Sequence, residues 1–214
     1  MSYALPSMTR VPAAEKGITI ADFLVPVRLG ERVSPRLRNV VLVVAGAVLI
    51  YLTALVSFPR EGSEVPYTLQ TFGVLVVGGG LGMRRGFLAA LLYLVVGLMG
   101  VPFFAEHKGG VHVVLGATGG YIVGFVLAGA LVGRLAELGW DRRIGGAIGA
   151  TALGTLVIYA VGVPWLAATT GMSLGDAIRD GMLPFIPVDT VKLLAAAAVF
   201  PAAWWVVGRR PSER

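Results

Sequence analysis

Two charged residues stand where charge is hardest to accommodate. Asp189 and Lys192 sit in the run Leu183-Pro-Phe-Ile-Pro-Val-Asp-Thr-Val-Lys-Leu-Leu, inside an otherwise apolar segment. An ionisable residue at the centre of a membrane-spanning helix costs about 2.5–3.5 kcal/mol on insertion scales and therefore calls for a function. A spacing of three places both side chains on one helix face. A carboxylate beside an ammonium offers acceptors and donors together, which suits a small polar ligand carrying amide-like N–H groups and a C=O. A plainer reading also fits. Pro187 can take the first helical position, Asp189 then complements the helix dipole, and Lys192 snorkels to the outer surface.

Two further stretches bring hydrogen-bonding groups to apolar surroundings. In Gly109-Gly-Val-His-Val-Val-Leu-Gly-Ala-Thr-Gly-Gly-Tyr-Ile-Val-Gly, the glycines at 116, 120 and 124 recur every four residues and Ala128 continues the stripe. That is the spacing of close helix–helix packing. Thr118 and Tyr121 add hydroxyls on neighbouring faces, free to bond their own backbone or a neighbouring helix. In Pro66-Tyr-Thr-Leu-Gln-Thr-Phe-Gly, Thr68, Gln70 and Thr71 reach the membrane edge beside Tyr67, an interfacial aromatic by position.

Other patterns lead nowhere. Gly171-Met-Ser-Leu-Gly matches the G-x-S-x-G of a serine nucleophile, but that motif needs a strand–turn–helix setting and here lies in a polar connection. None of the lysines has the context of a phosphate-binding G-x-x-x-x-G-K loop. Two histidines without any cysteine make no zinc motif, and disulfides are excluded.

The elements that must position these residues follow from composition. Of 214 residues, 56% are hydrophobic and 14% charged, against roughly 25% charged in soluble domains; the mean hydropathy is +0.80. Apolar runs read as six membrane spans, near 39–58, 68–83, 86–104, 111–133, 144–168 and 183–207, the second one short. Each approaches the ~20 residues that cross ~30 Å of hydrocarbon. With the N-terminus inside, fourteen Lys and Arg residues fall on the inner side. They are those of the tail (Arg10, Lys16, Arg28, Arg32, Arg36, Arg38) and Arg84, Arg85, Arg134, Arg142, Arg143, Arg209, Arg210 and Arg214. Three, Arg60, Lys108 and Arg179, fall outside, the asymmetry expected of cytoplasmic connections. The net charge of +6 therefore belongs to the membrane's inner face and its anionic headgroups, not to nucleic acid. The tail lacks the apolar core of a signal peptide; the mildly apolar stretch 18–27 within it reads as tethered tail.

The ordered motifs between Pro66 and Phe200 resemble the BioY family, the biotin-specific substrate-binding (S) components of energy-coupling factor (ECF) transporters. The resemblance rests on Thr68-Leu-Gln70, Leu81-Gly…Arg85-Gly86, Leu92-Tyr93…Gly97…Gly100-Val-Pro-Phe103, Leu115-Gly-Ala-Thr-Gly-Gly-Tyr121, Val161-Gly-Val-Pro-Trp165, Leu183-Pro-Phe-Ile-Pro and Asp189-x-x-Lys192. The family's usual proline before Thr118 is Ala117 here, and the first span has no clean Ala-x-x-x-Ala.

The resemblance implies an all-α integral membrane protein of the cell membrane, a bundle of six transmembrane helices with the N-terminus and C-terminus cytoplasmic. Its parts would be a basic cytoplasmic tail (1–38), a substrate-binding transmembrane domain (39–207) and a C-terminal tail (208–214). It further implies one biotin near the outer face, held by Asp189 and Lys192. Thr118, Gly120 and Tyr121 are carried over with them, Gln70 and Tyr93 enter as pocket candidates, and Phe103, Tyr93 and Trp165 as apolar walls. Its implied partners are an ECF transmembrane coupling subunit and two ABC-type ATPase subunits; no cofactor and no catalytic residue is expected. The alternatives are an S component for thiamine or riboflavin and, more remotely, an intramembrane enzyme built on Ser173 or the Asp189–Lys192 pair.

Overall fold

The computed structural model describes residues 19–24 and 34–208. These residues are mostly helical: α1 (Ile20–Leu24), α2 (Pro35–Leu55), α3 (Gln70–Leu81), α4 (Met83–Leu98), α5 (Val111–Leu115), α6 (Gly119–Glu137), α7 (Ile144–Thr170), α8 (Leu174–Gly181) and α9 (Ile186–Gly208). Two short strands, β1 (Ser57–Phe58) and β2 (Tyr67–Thr68), pair antiparallel between α2 and α3, with Ser57 opposite Thr68. Among the described residues, α2, α6, α7 and α9 are long and apolar enough to cross a membrane. The twelve residues of α3 reach only about 18 Å at 1.5 Å per residue.

The spans differ from the expected ones where glycine and proline punctuate the chain. Helix α2 begins ahead of residue 39, because Ser34 caps it and Pro35 opens its first turn. The third expected span ends at Leu98 instead of 104, as Gly100 turns the chain at a φ of 93°. The stretch 101–110 then folds back, Gly110 N–H donating to the Gly97 carbonyl, and Phe104 lays its ring on Gly97. The fourth expected span is broken: α5 stops at Leu115, and α6 starts at Gly119. Gly116 therefore closes α5 and is not part of the α6 stripe. The polar connection before α9 contains a helix, α8, whose N-cap is Ser173, accepting from Asp176 N–H. That contact accounts for the serine in the G-x-S-x-G pattern.

Small residues let the backbones meet. Helices α3 and α4 form a hairpin through Gly82, and α6 lies in it: a Cβ on Gly78 would come within 2.7 Å of the Gly129 carbonyl oxygen, and one on Gly86 within 3.0 Å. Nearer the start of α6, a Cβ on Gly124 would come within 3.0 Å of the Ile158 Cα, and one on Gly120 would collide with Trp165, so the stripe read from sequence packs on α7. Glu137, at the end of α6, accepts from Met83 N–H and caps α4.

The N-terminal side is not all tail. Thr19, Ile20 and Ala21 are buried, Ile20 among Ala147, Ala197 and Phe200. Asp22 pairs with Arg38 of α2 at 3.1 Å and with Arg85 of α4 at 2.9 Å. Burial acts to raise the Asp22 carboxyl, but hydrogen bonds from Arg85 and Thr19 outweigh it and hold the group below its ordinary range. The basic residues at 10, 16, 28, 32, 209, 210 and 214 lie outside the described residues.

Candidate functional site

Helix α9 starts at Ile186 with Pro187 in its first turn, and Asp189 N–H donates to the Phe185 carbonyl. One turn on, Lys192 does not snorkel. It is 8% exposed, Asp189 is 6% exposed, and Lys192 Nζ donates to Asp189 Oδ1 at 2.7 Å. The second carboxylate oxygen accepts from the Tyr159 hydroxyl, on α7, at 2.5 Å. A buried charge is tolerable only when paired and hydrogen-bonded, and both conditions are met here.

The pair borders a cavity of about 480 Å³, within the range that holds small-molecule ligands. Besides Asp189 and Lys192, the cavity is lined by Gln70, Thr118 and Tyr121, so five sequence-derived candidates converge from α3, α6, α9 and the residue that precedes α6. Gln70 is buried, and its amide donates to the Tyr93 hydroxyl. Tyr121 donates to the Gly181 carbonyl at 2.8 Å, tying α6 to α8. Apolar walls come from Phe104, Ile122, Phe125, Ile158 and Phe185.

Four candidates do not line the cavity. Gly120 faces α7 because Trp165 occupies the space a side chain would need. Tyr93 is fully buried behind Gln70 and supports it. Phe103 stacks on Tyr51, ring centroids 4.3 Å apart, and its neighbour Phe104 takes the wall instead, an exchange that follows from α4 ending early. Trp165, also expected as a wall, donates its indole N–H to the Gly116 carbonyl at 3.0 Å.

The β1–β2 connection, α8 and the turn 105–107 close over the space. Arg60, between the strands, pairs with Asp180 of α8 and sits over the Phe185 ring at 5.5 Å, while Ser63 donates to Asp180 at 2.8 Å. The turn Ala105–His107 is held to β1 through Glu106 N–H donating to the Ser57 hydroxyl, and Lys108 pairs with Glu106 at 2.6 Å. Lys108 and His112 are exposed where they border the cavity. The chemistry available is recognition: donors and acceptors at a buried floor, apolar walls, and a charged rim. Among the described residues no group of His, Cys, Asp and Glu could hold a metal ion.

The BioY family model matches residues 26–209. The chain belongs to the BioY family. Similar curated members include the biotin transporter BioY of Thermotoga maritima, 39% identical over 71% of this chain and 86% of that one. The biotin transporter BioY of Rhodobacter capsulatus is 35% identical over 76% and 90% of the two chains. A crystal structure of the S-component for biotin from an ECF-type ABC transporter has the same fold: TM-score 0.72, 24% identity, covering 79% of this chain and 92% of the other. As a BioY protein with several apolar spanning helices, the chain is a multi-pass protein of the cell membrane.

Sequence reasoning missed Tyr159, Phe185 and Arg60. Tyr159 carries the polar tip of an aromatic in the middle of an apolar run, Leu156-Val-Ile-Tyr-Ala-Val, a signal that calls for a partner in a membrane. Phe185 lay within a quoted motif, and Arg60 was counted only as an outside charge.

Proposed function

We propose that this chain is a biotin-binding membrane subunit for biotin uptake and that biotin occupies the cavity with its ureido ring on the Asp189–Lys192 pair. The carrying observation is that buried pair, bordering a cavity of about 480 Å³. The ureido ring offers two N–H donors and one carbonyl acceptor. Asp189 accepts from the donors and Lys192 donates to the carbonyl, in charge-assisted hydrogen bonds roughly twice as strong as neutral ones. Thr118, Tyr121 and Gln70 complete the polar lining, and Phe104 and Phe185 face the ring's sulfur side and the valeryl chain. The valerate carboxylate points to the rim near Lys108.

The names of the relatives favour biotin over thiamine or riboflavin, and they describe transporters; the chain acts as a transport component and not as an enzyme. The bundle crosses the membrane six times, with the α3–α4 hairpin supplying two of the crossings. Residues 1–38 and 208–214 form the cytoplasmic ends of the 39–207 substrate-binding domain. Its energy-coupling partners are a transmembrane coupling subunit and two ABC-type ATPases, a reading supported by the likeness to an ECF S-component.

The test is saturable binding of tritiated biotin to the purified chain, with Asp189→Asn and Lys192→Ala alongside and thiamine and riboflavin as competitors. Binding by the parent and its loss in both folded variants is the expected result. Undiminished binding by both variants would remove the pair from the site, and displacement by thiamine or riboflavin but not by unlabelled biotin would reassign the ligand.

A further inference from the structure

The hydrogen bond between Tyr159 and Asp189 has a consequence for selectivity. A carboxylate has about four lone-pair sites on its two oxygens, and a tyrosine hydroxyl has one O–H to give. Lys192 occupies one site on Asp189 Oδ1, and Tyr159, which itself lines the cavity, occupies one on Oδ2. With its proton committed to Asp189, the Tyr159 hydroxyl turns only lone pairs to a ligand. The Asp189–Tyr159 edge is then acceptor-only, and Lys192 is the adjoining donor. Such an edge accepts N–H groups and repels a carboxylate, so it decides which end of an amphiphilic ligand goes down. Because the two residues sit on α7 and α9, the same bond fixes the carboxylate plane relative to both helices.

We propose that Tyr159 is a positioning and specificity-determining residue that, by donating to Asp189, makes the cavity floor an acceptor edge selective for the N–H groups of a cyclic urea. This rests on the biotin reading above.

The test compares three kinds of probe on the purified, folded parent and Tyr159→Phe: biotin, its two ureido mono-N-methyl analogues, and biotin methyl ester, which is altered only at the tail. The parent should prefer biotin over at least one N-methyl analogue by more than about tenfold, the weight of one hydrogen bond to a charged group. In Tyr159→Phe, biotin and its methyl ester should weaken together by roughly tenfold to a hundredfold, while that N-methyl analogue should change by less than about threefold. Equal weakening of all probes would mean that the tyrosine only supports the fold, and unchanged biotin binding would mean that it does nothing here; either result overturns the proposal. So does a parent that binds both N-methyl analogues as well as biotin, an arm that needs no variant. If the parent binds biotin and Asp189→Asn does not, such failures leave the biotin reading standing, whereas a parent without saturable biotin binding removes both.

Discussion

At the scale of single residues, the proposed role of the Asp189–Lys192 pair carries a cost in stability. Both side chains are almost fully buried, and removing one partner of a buried pair typically costs about 3–5 kcal/mol because the other charge is left uncompensated. Asp189→Asn and Lys192→Met alone should therefore lower thermal stability in detergent. The double variant should recover most of that loss, because apolar or neutral replacements of a whole buried pair are often neutral. Biotin binding should be absent from all three. A double variant less stable than either single one would show that the pair is held for the fold. At the rim, Lys108 is half exposed and already paired with Glu106, so Lys108→Ala should weaken biotin by less than about tenfold, as solvated pairs contribute about 0–1 kcal/mol. Biotin methyl ester, which has no tail charge, should not sense that change; an equal loss for the ester would place the carboxylate elsewhere. Asp189 and Lys192 were legible in the sequence because charge in an apolar run is conspicuous. Tyr159 gave only the signal of a polar tip in an apolar run, and its partner, thirty residues away, is not marked in the sequence.

At the scale of elements, periodicity located the long helices but not their interruptions. The stripe of small residues at 120, 124 and 128 was readable as a packing seam, since spacing alone puts it on one face, and it meets α7. The end of α4 and the break between α5 and α6 were hidden because the residues there remain apolar. Past Leu98 the chain stays apolar through Phe104, with Gly100 and Pro102 as the marks of a turn, and Gly116 is the corresponding mark between α5 and α6. Phe103 and Phe104 exchange roles for that reason. The seam makes a direct prediction. Gly124→Val would press side-chain atoms into the α7 backbone at Ile158 and should destabilise the fold by about 1–3 kcal/mol, the usual cost of overpacking, as read by thermal unfolding. The contact between the β1–β2 connection and α8 leads to a prediction about rates. Arg60 and Ser63 both hold Asp180, so Arg60→Ala should speed biotin dissociation severalfold in a chase experiment while leaving the floor contacts intact. An unchanged off-rate would mean that these segments do not limit escape.

At the scale of the whole molecule, the two ends of the described chain meet at one end of the bundle, where Asp22 binds Arg38 and Arg85 and draws α1 against α3 and α9. Because the folded Asp22 carboxyl lies below its ordinary range, the clasp stabilises the protein fully above that range and is lost as pH falls through the folded value. Acid unfolding should therefore be less steep in Asp22→Asn than in the parent; identical profiles would mean that the clasp adds nothing to the fold. The proposed six-crossing topology rests on arginine placement, since α3 is too short to span on its own. The chain contains no cysteine, so single cysteines can be placed without background. In intact cells a membrane-impermeant maleimide should label Lys108→Cys and Arg179→Cys. It should reach Arg84→Cys and Arg143→Cys only after permeabilisation. The decisive position is Arg84, at the turn of the α3–α4 hairpin. Labelling there from outside would mean that the hairpin does not reach the cytoplasmic face, and with it would go the two crossings it is assigned and the even count that puts both ends of the chain on one side.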